Sequence, residues 1–212
     1  MNRLTIAIPT FRRPQDLKRA VSGVLEQAGE LVDGPRVEAC DPEGDTAGAA
    51  DADGGAGRGV YDVEVLVIDN DARGTGRETA LTAAADVGVA VRSSVEGAKG
   101  PEAMGLRYVV EERPGVAAVR NRALDETGGR DLLVFIDDDE DPEPGWLAAL
   151  VGLWASTGCQ AVAGPVIPVY EVEPEAWVRQ GEFFVRRTWP TGTVRPVAAS
   201  NCLLLDLGFV RR

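Results

Sequence analysis

Apolar residues in this chain fall into short unbroken runs, separated by stretches in which they recur every three or four positions. Residues 4–8 (LTIAI) form the first run, halted by Pro9, and residues 14–28 then predict a helix that opens on proline. DVEVLVI at 62–68 predicts a second, buried strand. Residues 77–87 predict a helix, 89–91 a minor strand, 106–110 a strand, and 116–127 a helix ended by Gly128 and Gly129. DLLVFI at 131–136 is the next strand, and 145–156 is an apolar helix closed by Gly158. Alternation of this kind predicts an α/β fold: a Rossmann-like, mostly parallel sheet flanked by helices. Ligands of such sheets bind beyond the carboxyl ends of the strands, so the residues just after each strand carry the chemistry.

Two stretches break the pattern. Residues 38–62 hold seven acids and one base, and include the low-complexity run GDTAGAADADGGAGRG. They supply half of the chain's net charge of −12 and predict a disordered acidic insertion at about 39–60. Residues 93–105 read as a second loop. Strand patterns resume directly after both, so the expectation is one domain over residues 1–212.

Composition removes several function classes. The chain has no histidine, which excludes Ser-His-Asp and Cys-His catalysis and histidine-ligated zinc. A net charge of −12 argues against nucleic acid and against an anionic membrane surface. Cys40, Cys159 and Cys202 are odd in number and far apart, the pattern of reduced thiols in a cytoplasmic protein. The apolar N-terminal run is too short for a signal peptide, and the run at 146–155 is half of what a bilayer span needs. The expectation is a soluble protein, with peripheral attachment through a partner left open.

Three strand ends stand out. Pro9-Thr10-Phe11-Arg12-Arg13-Pro14 sets two guanidinium groups at a helix N-terminus, a favourable place for phosphate, and serves equally as a capped turn with solvated arginines. Asp69-Asn70-Asp71 offers groups for ribose hydroxyls or a base edge, and equally forms Asx turns. Asp137-Asp138-Asp139-Glu140-Asp141 follows a buried strand, where crowded carboxylates repel one another unless a cation neutralises them. Hard oxygen ligands suit Mg2+ or Mn2+ bridged to phosphate; the alternative is a solvated turn. Gly74-Thr75-Gly76 lacks the third glycine and the ribose-binding acid of a dinucleotide fold, and is set aside. Trp146 and Trp154 lie on a leucine-rich helix and read as core.

IAIPTFRRP, VEVLVIDND, GVAAVRNRALDETGGRDLLVFIDDDEDPEPGWLAAL and AASNCLLLD, in this order, resemble family 2 glycosyltransferases of the GT-A fold, the nucleotide-diphospho-sugar transferase arrangement. AVAGPVIPVYEVEPEAWVRQGEF followed by WPTG resembles bacterial glucosyltransferases of succinoglycan-type exopolysaccharide assembly. The resemblance implies that Pro9, Thr10, Phe11 and Arg12 line a nucleotide pocket. Asp69 and Asn70 fall where the family has an Asp-Asp pair reading uracil and ribose, and Asn70 departs from that pair. Arg120 and Asn121 face the donor. Asp137 and Asp138 lie towards the sugar-nucleotide, and Asp139 towards the metal, Mn2+ or Mg2+.

The implied reaction moves a hexose, glucose by the sub-family resemblance, from a UDP-sugar to a glycan or lipid-linked sugar acceptor, with inversion by single displacement. Peripheral association with a membrane assembly complex fits such a reaction. The family's base is an acid in a Glu-Asp motif beyond the strand at 201–205, and no such motif occurs here, so the base is expected beyond Arg212. Glu171, Glu173, Glu175 and Glu182 precede that strand, and Asp206 reads as a turn former. The alternative is a nucleotide-sugar binding fragment without turnover. A sugar-phosphate nucleotidyltransferase is disfavoured, because IPTFRRP has no glycine-rich loop.

Overall fold

Four parallel strands form the middle of the molecule, and their register decides which side chains meet. The computed structural model describes residues 1–33, 61–92 and 104–211. The expected acidic insertion at 39–60, Cys40, and residues 93–103 of the second expected loop lie outside the described residues. Along the chain run β1 (Asn2–Thr10), α1 (Pro14–Asp33), β2 (Tyr61–Asp69), α2 (Arg77–Asp86), β3 (Met104–Val110), α3 (Val116–Glu126) and β4 (Leu132–Phe135). Then come α4 (Trp146–Thr157), β5 (Ala161–Ala163), α5 (Ala176–Gln180), β6 (Leu203–Asp206) and α6 (Leu207–Val210). The sheet order is β3-β2-β1-β4-β6-β5. β1 to β4 are parallel, whereas β6 lies antiparallel to both of its neighbours.

The alternation expected from the sequence is present, with two corrections. β1 does not stop at Pro9 but continues to Thr10, paired with Asp69. Thr10 O accepts from Asn70 N on the β2 side, and Ala7 O accepts from Ile136 N on the β4 side. Pro9 therefore turns towards β4, which has already ended at Phe135, and its missing N–H leaves no ladder bond unmade. Residues 89–91 do not form a strand of their own. They make a single parallel bridge, Val91 to Leu106, at the free edge of β3.

Helices cover both faces. Leu17, Val21, Val24, Ala28 and Leu31 recur at helical spacing along α1 and are buried. They join Leu4, Ile6 and Ile8 of β1, Val63, Val65 and Val67 of β2, and Leu147, Leu150 and Val151 of α4 in one core. That stripe carries α1 five residues past its expected end at 28. Gly158 closes α4 in the left-handed conformation, its N–H on Trp154 O. On the other face, Val119 and Ala123 of α3 pack on Ala7, Leu66, Ile68, Leu133 and Phe135.

Lower on that second face, the apolar layer gives way to charge. Arg107 (4% exposed) holds Glu64 (2% exposed) through two bonds of 3.0 and 3.2 Å and also pairs with Glu126. Arg130 binds Asp62 at 2.8 Å and reaches Glu64 at 3.5 Å. Burial opposes the charge of Arg107, and its glutamates outweigh it, holding its pKa above the ordinary value. Removing one partner of such a network strands the others in a dry interior. Arg107→Leu is expected to cost about 3–5 kcal/mol in urea unfolding. A loss below about 1 kcal/mol would mean that water reaches Glu64 and Glu126.

Candidate functional site

The strand ends are level, and that brings the motif residues together. Thr10 pairs with Asp69, and Asp69 with Val110, in the sheet register. β4 ends opposite Ala7, so Asp138, three residues on, comes up beside Thr10. The Thr10 hydroxyl donates to Asp138 Oδ2 at 2.7 Å, and both side chains are buried.

Around this bond the acidic run is distributed among cations. Arg13 donates to Asp139 at 2.6 Å and lies 3.4 Å from Asp138. Arg120, on α3, donates to Asp137 at 3.0 Å and to Ser200 O, and lies over the Phe135 ring. Its Nε is buried without a hydrogen-bond partner. Arg19 pairs with Asp141 at 2.6 Å. Glu140 has no arginine; it accepts from Asn201 Nδ2 at 2.6 Å and from Asp137 N at 3.2 Å.

Burial pushes Asp137 and Asp138 above the usual carboxylate range, against the pull of Arg120 on the first and of Thr10 and Arg13 on the second. Glu140 is pushed up to about 7, chiefly by burial and further by the charges of Asp137 and Asp139.

The second strand end has its polar atoms engaged within the protein. Asp69 is fully buried, and its oxygens accept from Asp71 N (2.8 Å), Gly76 N (2.8 Å) and the Tyr108 hydroxyl (2.5 Å). Burial and that bond to Asp69 raise the Tyr108 pKa. Asn70 donates to Glu111 O and Arg113 O and accepts from Gly115 N, bonds of 2.7–2.8 Å that brace the turn into α3. A carboxylate at this position could not donate to two carbonyls, which accounts for asparagine here. Asp71 instead faces the β1 loop. It accepts from Arg73 and from Arg12 Nε at 2.8 Å, and these arginines, Arg73 first, hold it far below the usual range.

Arg12 has φ +57°, an uncommon conformation for a side chain larger than glycine, and stacks on Phe11. Gly76 has a structural use: a Cβ there would lie 3.1 Å from Asp69 Oδ2 and 3.0 Å from Leu17. Thr10, Arg12, Arg13, Arg73 and Thr75 line a cleft of about 240 Å³. A shallower depression of about 500 Å³ over α1, near Lys18 and Ser22, reaches Arg19, the partner of Asp141.

Of the expected site residues, Thr10, Arg12, Arg120, Asp137, Asp138 and Asp139 converge, whereas Pro9 is half-buried and Phe11 and Asn121 are exposed. Asp69 and Asn70 lie beneath the rim with their polar atoms engaged. Arg13, Asp71, Glu140 and Asn201 belong to the site as well. All four stand inside motifs quoted from the sequence, Arg13, Asp71 and Glu140 at the strand ends singled out there, but the partner each one meets is visible only in the fold.

The donor set suits a hard divalent cation. It consists of carboxylate oxygens only, those of Asp137 and Asp138 held above their usual pKa chiefly by burial, with the Arg13 guanidinium standing against Asp139. Among the described residues, no group of three or more acidic or thiol side chains is arranged to hold an ion alone. Phosphate oxygens of a ligand would have to complete the coordination.

A sequence profile of glycosyl transferase family 2 matches residues 56–199. The succinoglycan biosynthesis protein ExoM of Rhizobium meliloti (strain 1021) is 33% identical over 143 residues, covering 67% of this chain and 41% of that protein. The chain thus spans well under half the length of this curated relative. Among solved structures, glucosyl-3-phosphoglycerate synthase from Mycobacterium tuberculosis, in complex with phosphoglyceric acid, is similar with a TM-score of 0.51. The likeness covers 98% of this chain and 57% of that one at 17% identity, and at that identity it speaks for the fold alone.

The electrostatics have a pH signature. Glu140 binds its proton more tightly folded (about 7) than at its ordinary value of 4.5, so its protonated form stabilises the fold. That contribution is fully present below the unfolded value and is lost as pH rises through about 7. In chelator-treated protein, the difference in Tm between Glu140→Gln and the parent should therefore grow in the variant's favour between these two pH values. A difference that does not change with pH would show that Glu140 is ionised and solvated throughout.

Proposed function

The chain belongs to glycosyl transferase family 2 and has the GT-A fold, and from that premise we propose that it binds a UDP-linked hexose and passes the sugar to a glycan or lipid-linked sugar acceptor. The observation that carries this reading is the buried Thr10–Asp138 bond, with Arg13 and Arg120 on either side of Asp137, Asp138 and Asp139. Polysaccharide assembly as the setting is supported by the similarity to a succinoglycan biosynthesis protein, and glucose as the sugar follows the sub-family resemblance of the sequence.

Each group has a part to play. Thr10, Phe11, Arg12 and Pro9 form one wall of the nucleotide pocket, and Arg12 keeps its strained backbone because Asp71 holds its guanidinium. Asp69 and Asn70 shape this pocket from below by fixing the turns on which Asp71 and Arg120 stand. Asp137 and Asp138 orient the sugar-nucleotide, and Asp139 would hold Mn2+ or Mg2+. When bound, such a cation would supply positive charge to the departing nucleoside diphosphate, so that no proton donor is needed. Arg120 and Arg13 add charge-assisted hydrogen bonds to the same phosphates. The absence of histidine fits such a reaction.

Inversion by a single displacement needs a carboxylate to take the acceptor's proton. Asp206 is spoken for: it caps α6 through Phe209 N at 3.2 Å and accepts from Trp154 Nε1 at 3.3 Å. That engagement favours a second reading, in which residues 1–212 bind the nucleotide-sugar without transferring it. Incubation with UDP-glucose, Mn2+ and glycan acceptors separates the two, since binding without product supports the second.

Calorimetry tests what both readings share. UDP is expected to bind much more tightly with Mn2+ than without, and Asp139→Ala to lower the Mn2+-dependent affinity about tenfold or more. A variant that binds UDP and Mn2+ like the parent would remove Asp139 from the metal site.

A further inference from the structure

The path from β5 to β6 is unlike the rest of the molecule. Between Ala163 and Leu203 there is one five-residue helix, α5, and no strand. Large apolar side chains face outward: Phe183, Phe184, Val185 and Trp189 are 49–61% exposed and Val194 is 94% exposed. Charge is sorted along the same path. Glu171, Glu173, Glu175 and Glu182 come first, whereas residues 183–200 hold three arginines and no acid. Elsewhere most described arginines are tied to carboxylates, as Arg12, Arg13, Arg107, Arg120 and Arg130 are. No ion pair among the described residues involves Arg186, Arg187 or Arg195. Arg195 lies over the Trp189 ring at 4.0 Å, joining a cation to an amphipathic side chain.

Exposed arginines interleaved with aromatic and aliphatic side chains match the chemistry of a bilayer interface. An indole settles at headgroup level, guanidinium groups reach phosphates, and Phe and Val side chains enter the acyl boundary. A nucleic acid would use the same arginines but would give the exposed valines no partner. We propose that residues 183–200 seat the protein on an anionic lipid surface.

The net charge of −12 argues against such a surface for the chain as a whole, but not for this segment. Exposed charges are screened within about 8 Å at physiological salt, so the local segment faces the lipid and the chain total does not. The segment is also joined to the strand-end site. It leaves β5 at Gly164, whose N–H binds Cys202 O, and returns through Ser200 and Asn201, which hold Arg120 and Glu140. Seating it on a bilayer brings the rim of the acidic site close to the lipid. The inference stands whatever nucleotide or sugar that site takes.

Vesicle flotation of the full chain tests it, with phosphatidylcholine alone and with about one-third phosphatidylglycerol added. Binding is expected to the anionic vesicles, weakened by salt. Loss of about fivefold per arginine lowers it on the order of a hundredfold in the triple variant Arg186→Gln, Arg187→Gln, Arg195→Gln. Trp189→Ser should weaken binding while leaving the salt dependence intact. These positions are exposed, and circular dichroism verifies the fold of each variant. Absence of flotation, or undiminished flotation of the triple variant, overturns the proposal. So does equally tight binding to duplex DNA, or self-association abolished by Trp189→Ser, which would make a second copy the occupant.

Discussion

Five consecutive acidic side chains at the end of a buried strand repel one another, and most of the site is a response to that repulsion. Asp137 is answered by Arg120 from α3, Asp138 by Thr10 and Arg13, Asp139 by Arg13, and Asp141 by Arg19 from α1. Glu140 receives an asparagine amide, a backbone N–H and, among the described residues, no arginine, and burial raises its pKa, helped by the charges of Asp137 and Asp139. The partners come from β1, α1, α3 and the approach to β6, so the cluster's charge balance ties together parts of the chain far apart in sequence. Asp137, Asp138 and Glu140 are held above their usual pKa chiefly by burial, and a bound cation would favour their charged forms.

What allows the response is the level register of the parallel strands. β1 and β2 pair without slip from Asn2 opposite Tyr61 to Thr10 opposite Asp69, and β4 stops early enough for Asp138 to meet Thr10. One position of slip in β4 would turn its buried residues to the opposite face and carry Asp138 away from the hydroxyl. The fold therefore sets the site chiefly through the lengths and alignment of its strands, and the helices supply counter-charges.

Much of this architecture is legible in the sequence, because apolar runs bounded by proline, glycine and acids have few alternatives. β2, α2, α3 and α4 fall within two residues of their expected bounds, since their patterns are unambiguous. β5 and the antiparallel setting of β6 are not legible: three residues carry no periodicity, and strand direction depends on partners distant in sequence. The buried pairing of Asp62 and Glu64 with Arg107 and Arg130 is hidden for a related reason. Their acids alternate with valines as solvent-facing residues would, and only the fold shows arginines arriving above them. Within the site, the acidic run and Thr10 announce themselves, whereas the internal engagement of Asp69 and Asn70 depends on Tyr108, Gly76 and the Glu111–Gly115 turn. Their motif position suggests a ligand role, and their hydrogen bonds show that they also brace the loops beside the site.

A cation-dependent site for a nucleoside diphosphate at the strand-end carboxylates would keep Arg13 on Asp139 only until the cation arrives. Anomalous diffraction from crystals grown with UDP and Mn2+ tests this. The expected result is a manganese peak bonded to Asp139 and to diphosphate oxygens, with the Arg13 guanidinium moved off that carboxylate. UDP bound with Arg13 still paired to Asp139 and no manganese peak beside it would contradict a cation-dependent site.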